Sequence, residues 1–373
     1  MKILLVHPYW HYRDVTFELP RLLLMRGEQP FVMTWVKGLG ETRISLVEPG
    51  IDLIELPGVN LLPIHGTIFP LLKHVGSAFE YSQAEVVDCQ SHLFLTSLQA
   101  VLYARRMGIP SVVTVNGIKA PRKGALNLAQ FAYLNTLSRL VFRAASAVRC
   151  LTESDAVEAN RLGCPWEKIS IIPNGVDTTL FRPGPRDKDS DTIVWTGRFV
   201  EEKGLPTLLR AAVEVIKTSR NIRFMLVGDG PLRQRIEEMA ERLGVYERFV
   251  FTGAVSRCEV ARILRSSTLF VMPSFSEGMP LSLLEAMSCG NPVVGSDIPG
   301  ISSVVRSGET GILVPPGDHR ALGMAISGLL GDRCLLRRMG ERAAFHIRKN
   351  YEISIIVMRV LDLYSKIRSC SPS

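Results

Sequence analysis

Short apolar runs alternate with amphipathic stretches along most of the chain. Helical periodicity fills several of the intervals, for example Phe94–Met107 and Ala125–Ala144. This alternation is typical of βαβ units, whose parallel sheet is buried on both faces. The pattern therefore predicts an α/β protein with strands at Lys2–His7, Phe31–Trp35, Ile51–Leu56, Glu85–Cys89, Ser111–Val115, Ala147–Leu151, Lys168–Ile172, Thr192–Thr196, Ile222–Val227, Phe249–Thr252, Thr268–Met272, Pro292–Gly295 and Gly311–Val314.

The alternation is interrupted once, at Pro173-Asn174-Gly175, and a polar stretch rich in turn residues follows at Arg182–Asp191. This stretch is the predicted linker. A length of 373 residues agrees with two domains, so we expect a first domain at 1–173 and a second at 174–350. Helical patterns of the second half lie at Leu205–Thr218, Leu232–Leu243, Glu259–Arg265, Leu281–Ser288 and, at the end of the chain, Tyr351–Ile367.

Composition narrows the class of protein. Apolar residues make up 46% and charged residues 21%, which excludes a disordered tail, a collagen-like rod and a disulfide mini-scaffold. The 7 cysteines include no C-x-x-C pair, which indicates a reduced, cytoplasmic protein without a zinc or disulfide framework. The apolar stretch Val59–Leu72 is too short and too rich in proline for a membrane-spanning helix. It reads as an apolar loop, or as a loop that touches a membrane.

The net charge of +8 is concentrated in one stretch. No Asp or Glu occurs from Cys89 to Thr152. Such a stretch is either a solvated face with skewed charge or a contact surface for an anionic partner, such as phosphate groups, a lipid surface at the inner face of the membrane or nucleic acid. Its eight cations equal the whole net charge: Arg105, Arg106, Lys119, Arg122, Lys123, Arg139, Arg143 and Arg149.

Candidate chemistry follows the strand ends, because ligands of doubly wound sheets sit beyond the carboxyl ends of the strands. Gly197 ends one predicted strand, and Arg198 and Lys203 come before the next predicted helix. A guanidinium fork and an ammonium charge that converge at a helix N-terminus suit a diphosphate. The alternative is a surface loop with incidental charges. Gly228 lies in a second turn of this kind, in Val227-Gly-Asp-Gly-Pro231, which is weak evidence taken alone.

A third candidate segment follows the predicted strand that ends at Met272. It contains two carboxylates eight positions apart, Glu277 and Glu285. Both side chains can accept hydrogen bonds from sugar hydroxyls. The helix start between them offers backbone N–H groups to an anion, with Gly278, Met279, Pro280 and Leu281 in this segment. The alternative is a helix capped by an acid. A glycosidase acid/base pair would also use two carboxylates, but hydrolysis gives no role to Arg198 and Lys203, whereas departure of a nucleoside diphosphate does.

Together these segments resemble the GT-B-fold family of retaining glycosyltransferases, the glycogen-synthase-like and mannosyltransferase-like group often called family 4. The resemblance covers residues 171 to 318 in order. Its pieces are Ile172–Asp177, Gly197–Gly204, Val227–Pro231, Glu277-x7-Glu285, Pro292–Gly300 and Gly311–Asp318.

The resemblance implies two doubly wound Rossmann-like domains that face a central cleft, with the last helix, from residue 351, returning to the first domain. The first domain would hold the acceptor and the second the nucleotide-sugar. Arg198 and Lys203 would bind the donor diphosphate, Glu277 the donor sugar and Glu285 the ribose. The segment Gly278–Leu281 and Gly197 and Gly228 would lie near the donor, and Gly253 and Val255 near its base. Neither a cofactor nor a metal would be required.

The first half departs from the family at three places. The glycine pair after the first strand is replaced by Pro8–Tyr12, and a His-x-His segment by Asp88-Cys89-Gln90, with His92 nearby. Asn116 stands where the family commonly has a histidine that helps to place the donor sugar. An asparagine keeps a hydrogen bond there but cannot take up and pass on a proton at neutral pH. His92 or His11 would be the substitutes, although a lone histidine is more often structural.

These observations favour an active retaining glycosyltransferase that transfers a sugar to a lipid-linked or anionic glycan acceptor, in the cytoplasm or at the inner face of the membrane. The departures favour a second hypothesis, a catalytically inactive nucleotide-sugar-binding partner subunit. The third hypothesis is a nucleotide-sugar epimerase or a phosphorylase on the same fold. A nucleic-acid binder is disfavoured, because the basic stretch lacks a known module.

Overall fold

The described strands form two separate sheets, one in each of two compact units. The computed structural model describes residues 1–7, 18–38, 40–60, 70–117, 134–184, 191–218 and 221–370. The first unit comprises the described residues up to Pro173 and the chain from Val357 onward, and the second unit comprises Asn174–Ile356. The first unit ends at Pro173, the same residue at which the predicted first domain ends. The return begins at Val357, six residues after the predicted Tyr351.

The first sheet has nine strands within the described residues, in the order β3-β4-β2-β1-β6-β7-β8-β9, with β5 on β4. Of the strand pairs described here, only those of β4 with β3 and with β5 are antiparallel. Central strands such as β1 are buried on both faces, which explains why they are continuous apolar runs. The strands are β1 (Lys2–Val6), β2 (Gln29–Lys37), β3 (Arg43–Glu48), β4 (Ile51–Asn60), β5 (Pro70–Leu72), β6 (Val86–Cys89), β7 (Ser111–Val115), β8 (Ala147–Cys150) and β9 (Ile169–Ile171).

Helices pack on this sheet and form one apolar core with it. They are α1 (Glu18–Met25), α2 (Val75–Ser82), α3 (Leu95–Arg106), α4 (Arg139–Ala144) and α5 (Glu153–Arg161), and a π-helical turn at Leu134–Ser138 precedes α4. The helix predicted over Ala125–Ala144 is confirmed in its described part, where the π-helical turn is followed directly by α4. Its remainder lies outside the described residues, as do residues 61–69 of the predicted apolar loop.

The second sheet is entirely parallel, in the order β12-β11-β10-β13-β14-β15. Its strands are β10 (Asp191–Thr196), β11 (Ile222–Val227), β12 (Phe249–Gly253), β13 (Leu269–Met272), β14 (Val293–Ser296) and β15 (Gly311–Val314). The first strand of the series, β10, lies beside the fourth, β13. The strand order thus reverses between them, which makes this pair the topological switch point of a doubly wound sheet.

The helices of the second unit cover this sheet around a core of their own. They are α6 (Leu205–Thr218), α7 (Arg233–Arg242), α8 (Arg257–Ser266), α9 (Leu281–Ser288), α10 (Pro299–Ser302), α11 (His319–Gly331), α12 (Arg333–Asn350) and α13 (Ile353–Ser369). From Val357 onward, α13 belongs to the first unit. There its Tyr364 hydroxyl donates a hydrogen bond to the buried carboxylate of Asp88.

Two further predictions need correction. The predicted linker ends at Asp191, but Asp191 is the first residue of β10 and is bound by both terminal nitrogens of Arg333. A buried carboxylate that holds the start of α12 belongs to the second unit, not to a linker. In addition, β3 and β5 were not predicted, because β3 is a largely exposed edge strand and β5 has only three residues.

Candidate functional site

Three glycines at the carboxyl ends of neighbouring strands bring their loops together. The N–H of Gly197 donates to the carbonyl of Val227 at 2.9 Å, and the N–H of Gly228 donates to the carbonyl of Gly253 at 2.9 Å. Gly228 has a φ of +128°, and a Cβ there would lie 2.0 Å from the carbonyl oxygen of Gly197. Only glycine permits this contact. The resulting edge is a layer of backbone that a ligand can approach closely.

The loops that follow β10 and β13 also meet, at the switch point of the sheet. Gly204 has a φ of +64°, and a Cβ on it would lie 2.0 Å from the carbonyl oxygen of Pro273. The N–H of Phe275 donates to the carbonyl of Glu202 at 2.7 Å. These contacts fix the loop that carries Lys203 against the loop that carries Glu277.

Lys203 and Glu277 form an ion pair at this junction. The ammonium of Lys203 lies 2.7 Å from Oε1 of Glu277, and the hydroxyl of Ser274 donates to the same oxygen at 2.7 Å. Both charged side chains are mostly buried, at 19% and 9% exposure. Among the described residues, nothing donates a hydrogen bond to Oε2 of Glu277. One carboxylate oxygen is thus held by the protein, and the other is available to a hydroxyl.

The segment between Glu277 and α9 is held by backbone contacts from two sides. The side-chain amide of Asn174 donates to the carbonyl of Met279 at 3.0 Å. A Cβ on Gly300, which follows β14, would lie 2.3 Å from the carbonyl oxygen of Gly278. Pro280 is the N-cap residue of α9, and Leu281 is its first residue. The N–H groups at the start of α9 therefore lie in the same loop as Glu277, as the sequence predicts.

Glu285 lies inside α9 and is mostly buried. Nε of Arg257 is 3.5 Å from Oε1 of Glu285, and the guanidinium of Arg257 stacks over the ring of Phe181 at 5.2 Å. The sequence analysis did not single out Arg257. Its position at the first residue of α8, four residues after Gly253, is the signal that would have identified it.

Arg198 and Val255 lie at the predicted strand ends, Arg198 exposed and Val255 half-buried. The structure brings Lys203, Glu277 and Gly278 together with Met279, and it brings Gly197, Gly228 and Gly253 together. It also adds Ser274 and Asn174 as side chains that hold the site. Their hydroxyl and amide carry no charge, so a search of the sequence for charged pairs does not detect them.

In the first unit, Asn116 follows β7 and is exposed. Its side-chain amide donates to the carbonyl of Gln90 at 2.8 Å, which joins the carboxyl ends of β6 and β7. His92 is fully buried, and its ring stacks on Phe142 at 5.3 Å. Burial lowers the pKa of His92 to about 3. This burial favours a structural role for His92 over the role of a substitute for the missing histidine, and His11 lies outside the described residues.

The predicted basic surface is only partly described. Arg105, Arg106, Arg139 and Arg143 are exposed, whereas Lys119, Arg122 and Lys123 lie outside the described residues. Arg149, which the charge count included, is buried in β8 and donates to the carbonyls of Ile172 and Pro173. That cation is therefore structural. No helix in the described ranges is long and apolar enough to cross a membrane.

Two family models match the chain. "Glycosyl transferases group 1" matches residues 176–345, and "Glycosyltransferase Family 4" matches residues 37–180. The first match contains every site residue described for the second unit except Asn174.

Several curated relatives match as well. A D-inositol 3-phosphate glycosyltransferase of Rhodococcus erythropolis is 31% identical over 85% of this chain and 74% of its own length. The enzyme of the same name from Nocardia farcinica is 30% identical over 69% of this chain, and the match spans 61% of that relative's length. One component of the phosphatidylinositol N-acetylglucosaminyltransferase of Arabidopsis thaliana is 26% identical over 95% of this chain and 78% of its own length.

Solved structures share the fold. Sucrose-phosphate synthase from Thermosynechococcus elongatus superposes with a TM-score of 0.82 at 19% identity, over 99% of both chains. Anabaena HepE in complex with UDP-glucose superposes with a TM-score of 0.80 at 18% identity, over 98% of this chain and 100% of its own. Both likenesses agree with the α/β, GT-B fold that the sequence predicts.

Proposed function

The chain belongs to the group 1 glycosyltransferases, also called family 4, and on that premise we propose that it transfers a sugar from a nucleoside-diphosphate sugar to an acceptor hydroxyl. The donor binds at the carboxyl edge of the second sheet. The observation that carries the proposal is the Lys203–Glu277 pair at the switch point, beside the glycine layer.

The charges of this pair suit the two halves of a nucleotide-sugar. Oε2 of Glu277 accepts a hydroxyl of the donor sugar, while Ser274 and Lys203 hold Oε1. The ammonium of Lys203, with Arg198, stabilises the negative charge that develops on the departing diphosphate. Cations placed before the reaction begins need no reorganisation when the bond to the anomeric carbon breaks. Glu285, oriented by Arg257, accepts the ribose hydroxyls.

We further propose that the reaction retains the anomeric configuration and needs no metal. The leaving phosphate oxygen takes the proton of the acceptor hydroxyl on the same face of the sugar, so no side-chain base is required. This agrees with Asn116, whose amide neither takes up nor releases a proton at neutral pH. The neighbours solved with UDP and UDP-glucose support a uridine nucleotide as the first donor to test.

For the acceptor, we propose a molecule that carries a phosphate group, either lipid-linked or part of an anionic glycan. Relatives are named for D-inositol 3-phosphate and for phosphatidylinositol. The exposed cations of the first unit, Arg105, Arg106, Arg139 and Arg143, are suited to such a group. Their position on that unit also supports a peripheral contact with an anionic membrane surface.

The test is the release of nucleoside diphosphate from UDP-, GDP- and ADP-sugars, with and without acceptor extracts. The proposal predicts acceptor-dependent release with one donor class. The alternative, an inactive nucleotide-sugar-binding partner subunit, is favoured by Asn116 and by the burial of His92. It predicts donor binding without release under any condition, and that result would replace our proposal.

A further inference from the structure

The exposed face of α12 carries a concentration of cations that lack acidic partners. Arg337, Arg338, Arg342, Arg348 and Lys349 are all exposed, and Glu341 is the one acid among the exposed residues of Arg337–Lys349. Within the described ranges, none of the five forms an ion pair at 4 Å or less. Some cations on other helices are paired with an acid within one turn, namely Arg161 with Glu158, Lys217 with Glu214 and Arg262 with Glu259. The α12 face thus lacks the short-range pairing that neutralises those three cations.

A turn from the sheet adds a further cation and makes the surface concave. Arg306, Thr310 and the middle of α12 line a cavity of about 500 Å³, with Arg338, Arg342 and Lys349 on the helix side. We call this cavity the α12 pocket. Glu309 and Glu341 also line it, so its cations outnumber its acids. Three guanidinium groups and an ammonium around one cavity suit a group with several anionic oxygens.

Two aromatic side chains in the α12 pocket add to its selectivity. Phe345 is 68% exposed and lines the cavity, where it offers an apolar face to a sugar ring or a glycerol backbone. His346 is half-buried, and its pKa is lowered by burial and by the charge of Arg306. The pocket therefore combines a convergent positive charge with an apolar wall.

The α12 pocket is separate from the donor site. Arg306, Glu309 and Thr310 immediately precede β15, so they lie at the amino-terminal edge of a fully parallel sheet. Gly197, Lys203 and Glu277 follow the carboxyl ends of their strands. A strand of 4 residues separates the two edges by roughly 13 Å at about 3.3 Å per residue. One ligand group cannot contact both sets of side chains.

We propose that the α12 pocket is a second anion site, which binds a ligand through a phosphate ester group. The ligand is either the headgroup of an anionic phospholipid or a soluble phosphorylated compound, and the same side chains recognise both. A ligand bound there contacts the second unit at the amino-terminal edge of its sheet, opposite the carboxyl edge where the donor site lies. The proposal does not depend on the proposed transferase activity, because it rests on residues outside the donor site.

Pyrophosphate is the probe for the site, and isothermal titration is the measurement. The wild type is expected to show two classes of binding, one at the donor site and one at the α12 pocket. The double variant Arg338→Gln/Arg342→Gln should lose the second class, with affinity at least ~10-fold weaker after the loss of two charge-assisted contacts. The control Arg223→Gln/Arg320→Gln removes two exposed cations outside the pocket and should leave both classes intact.

The proposal would be overturned if the α12 variant bound pyrophosphate like the wild type. It would also be overturned if the control lost the second class of binding to the same extent as the α12 variant. The variant Lys203→Ala should remove the donor class alone. If it changes nothing, the proposed function is weakened, but the α12 pocket is not. Unchanged melting temperatures of the variants without ligand would exclude misfolding as the cause.

Vesicles of phosphatidylcholine, with and without phosphatidylglycerol, distinguish the two sources of phosphate. Sedimentation with the anionic vesicles that is lost in Arg338→Gln/Arg342→Gln identifies the lipid headgroup. Sedimentation that is equal in the variant and the wild type, together with lost pyrophosphate binding, identifies a soluble ligand.

Discussion

The two units use the carboxyl ends of their central strands differently. In the second unit Gly197, Gly228 and Gly253 stand at the ends of β10, β11 and β12, and the loops of β10, β11 and β13 approach one another backbone to backbone. In the first unit, the corresponding strand ends carry polar side chains that are buried: Asp88 in β6, His92 after it and Arg149 in β8. The edge of the second unit is thus made largely of backbone, whereas the edge of the first unit includes buried polar side chains.

This difference explains why the roles of residues in the second unit are easier to predict from the sequence than those in the first unit. A glycine that is required by a positive φ or by a close backbone contact has a single structural explanation, since no other residue fits. A charged or titratable residue can lie either at the surface or in the interior, and the sequence alone leaves both positions open. Arg149, which the charge count placed in the basic stretch, is buried, and so is His92. The predictions below test this contrast from the largest expected effect to the smallest.

Glu277→Gln should have the largest effect. The substitution keeps the shape of the side chain but removes the charge that accepts from Lys203, Ser274 and the donor sugar. Turnover should fall by about 10²- to 10³-fold, the usual cost of one group that stabilises the transition state. Steady-state release of nucleoside diphosphate measures it.

The matched control is Glu201→Gln, in the same pair of interacting loops but highly exposed. It should keep turnover near the wild-type value. Equal rates in the Glu277 and Glu201 variants would contradict the assignment of Glu277.

Gly228→Ala should destabilise the second unit. The new methyl group would meet the carbonyl of Gly197, and the positive φ adds strain. Gly244→Ala shares the positive φ, but no atom lies near its added Cβ. We expect the Gly228 variant to lose roughly 2 kcal/mol more than the Gly244 variant, mostly from overpacking. Thermal unfolding measures both, and equal losses would show that the two loops do not pack as described.

His92→Leu should remove a pH dependence of stability in the first unit. Burial lowers the pKa of His92 to about 3, against about 6.5 in an unfolded chain. The neutral ring therefore contributes full stability above pH 6.5, and this is lost progressively as the pH falls towards 3. Between pH 6.5 and 5 the wild type should lose about 2 kcal/mol that the variant keeps.

Urea unfolding at the two pH values measures this loss. His74→Asn, which removes an exposed histidine of the same unit, is the control and should behave as the wild type. Turnover of His92→Leu near the wild-type rate is also expected. A collapse of turnover with unchanged stability would instead give His92 a catalytic role.

The exposed cations of the first unit should have the smallest effect. Arg105→Gln/Arg106→Gln removes two exposed charges from the last turn of α3. The KM for a phosphate-bearing acceptor should rise severalfold at low salt, and the difference should vanish at high salt because exposed charges are screened. Arg223→Gln/Arg320→Gln is the charge-matched control. If KM rose equally in the control, the effect would come from the lower net charge of the protein and not from these two positions.

Much of the architecture could be predicted from the sequence, for reasons visible in particular elements. The predicted bounds of β7, β11, β15, α6 and α9 agree with the structure at both ends, because a buried strand is a continuous apolar run between turns. In contrast, β3 is held by its pairing with β4 rather than by its own pattern. Ser274 and Asn174 were missed as supporting side chains because their roles depend on which loops meet.

The central claim is that the β10–β13 junction holds the donor diphosphate through Lys203. The most direct measurement is the melting temperature with UDP, GDP or ADP, for the wild type, for Lys203→Ala and for Lys217→Ala, an exposed lysine of α6. The account predicts that one nucleotide raises the melting temperature of the wild type and of the Lys217 variant, but not that of the Lys203 variant. An equal rise in the Lys203 variant, or no rise with any nucleotide, would contradict it.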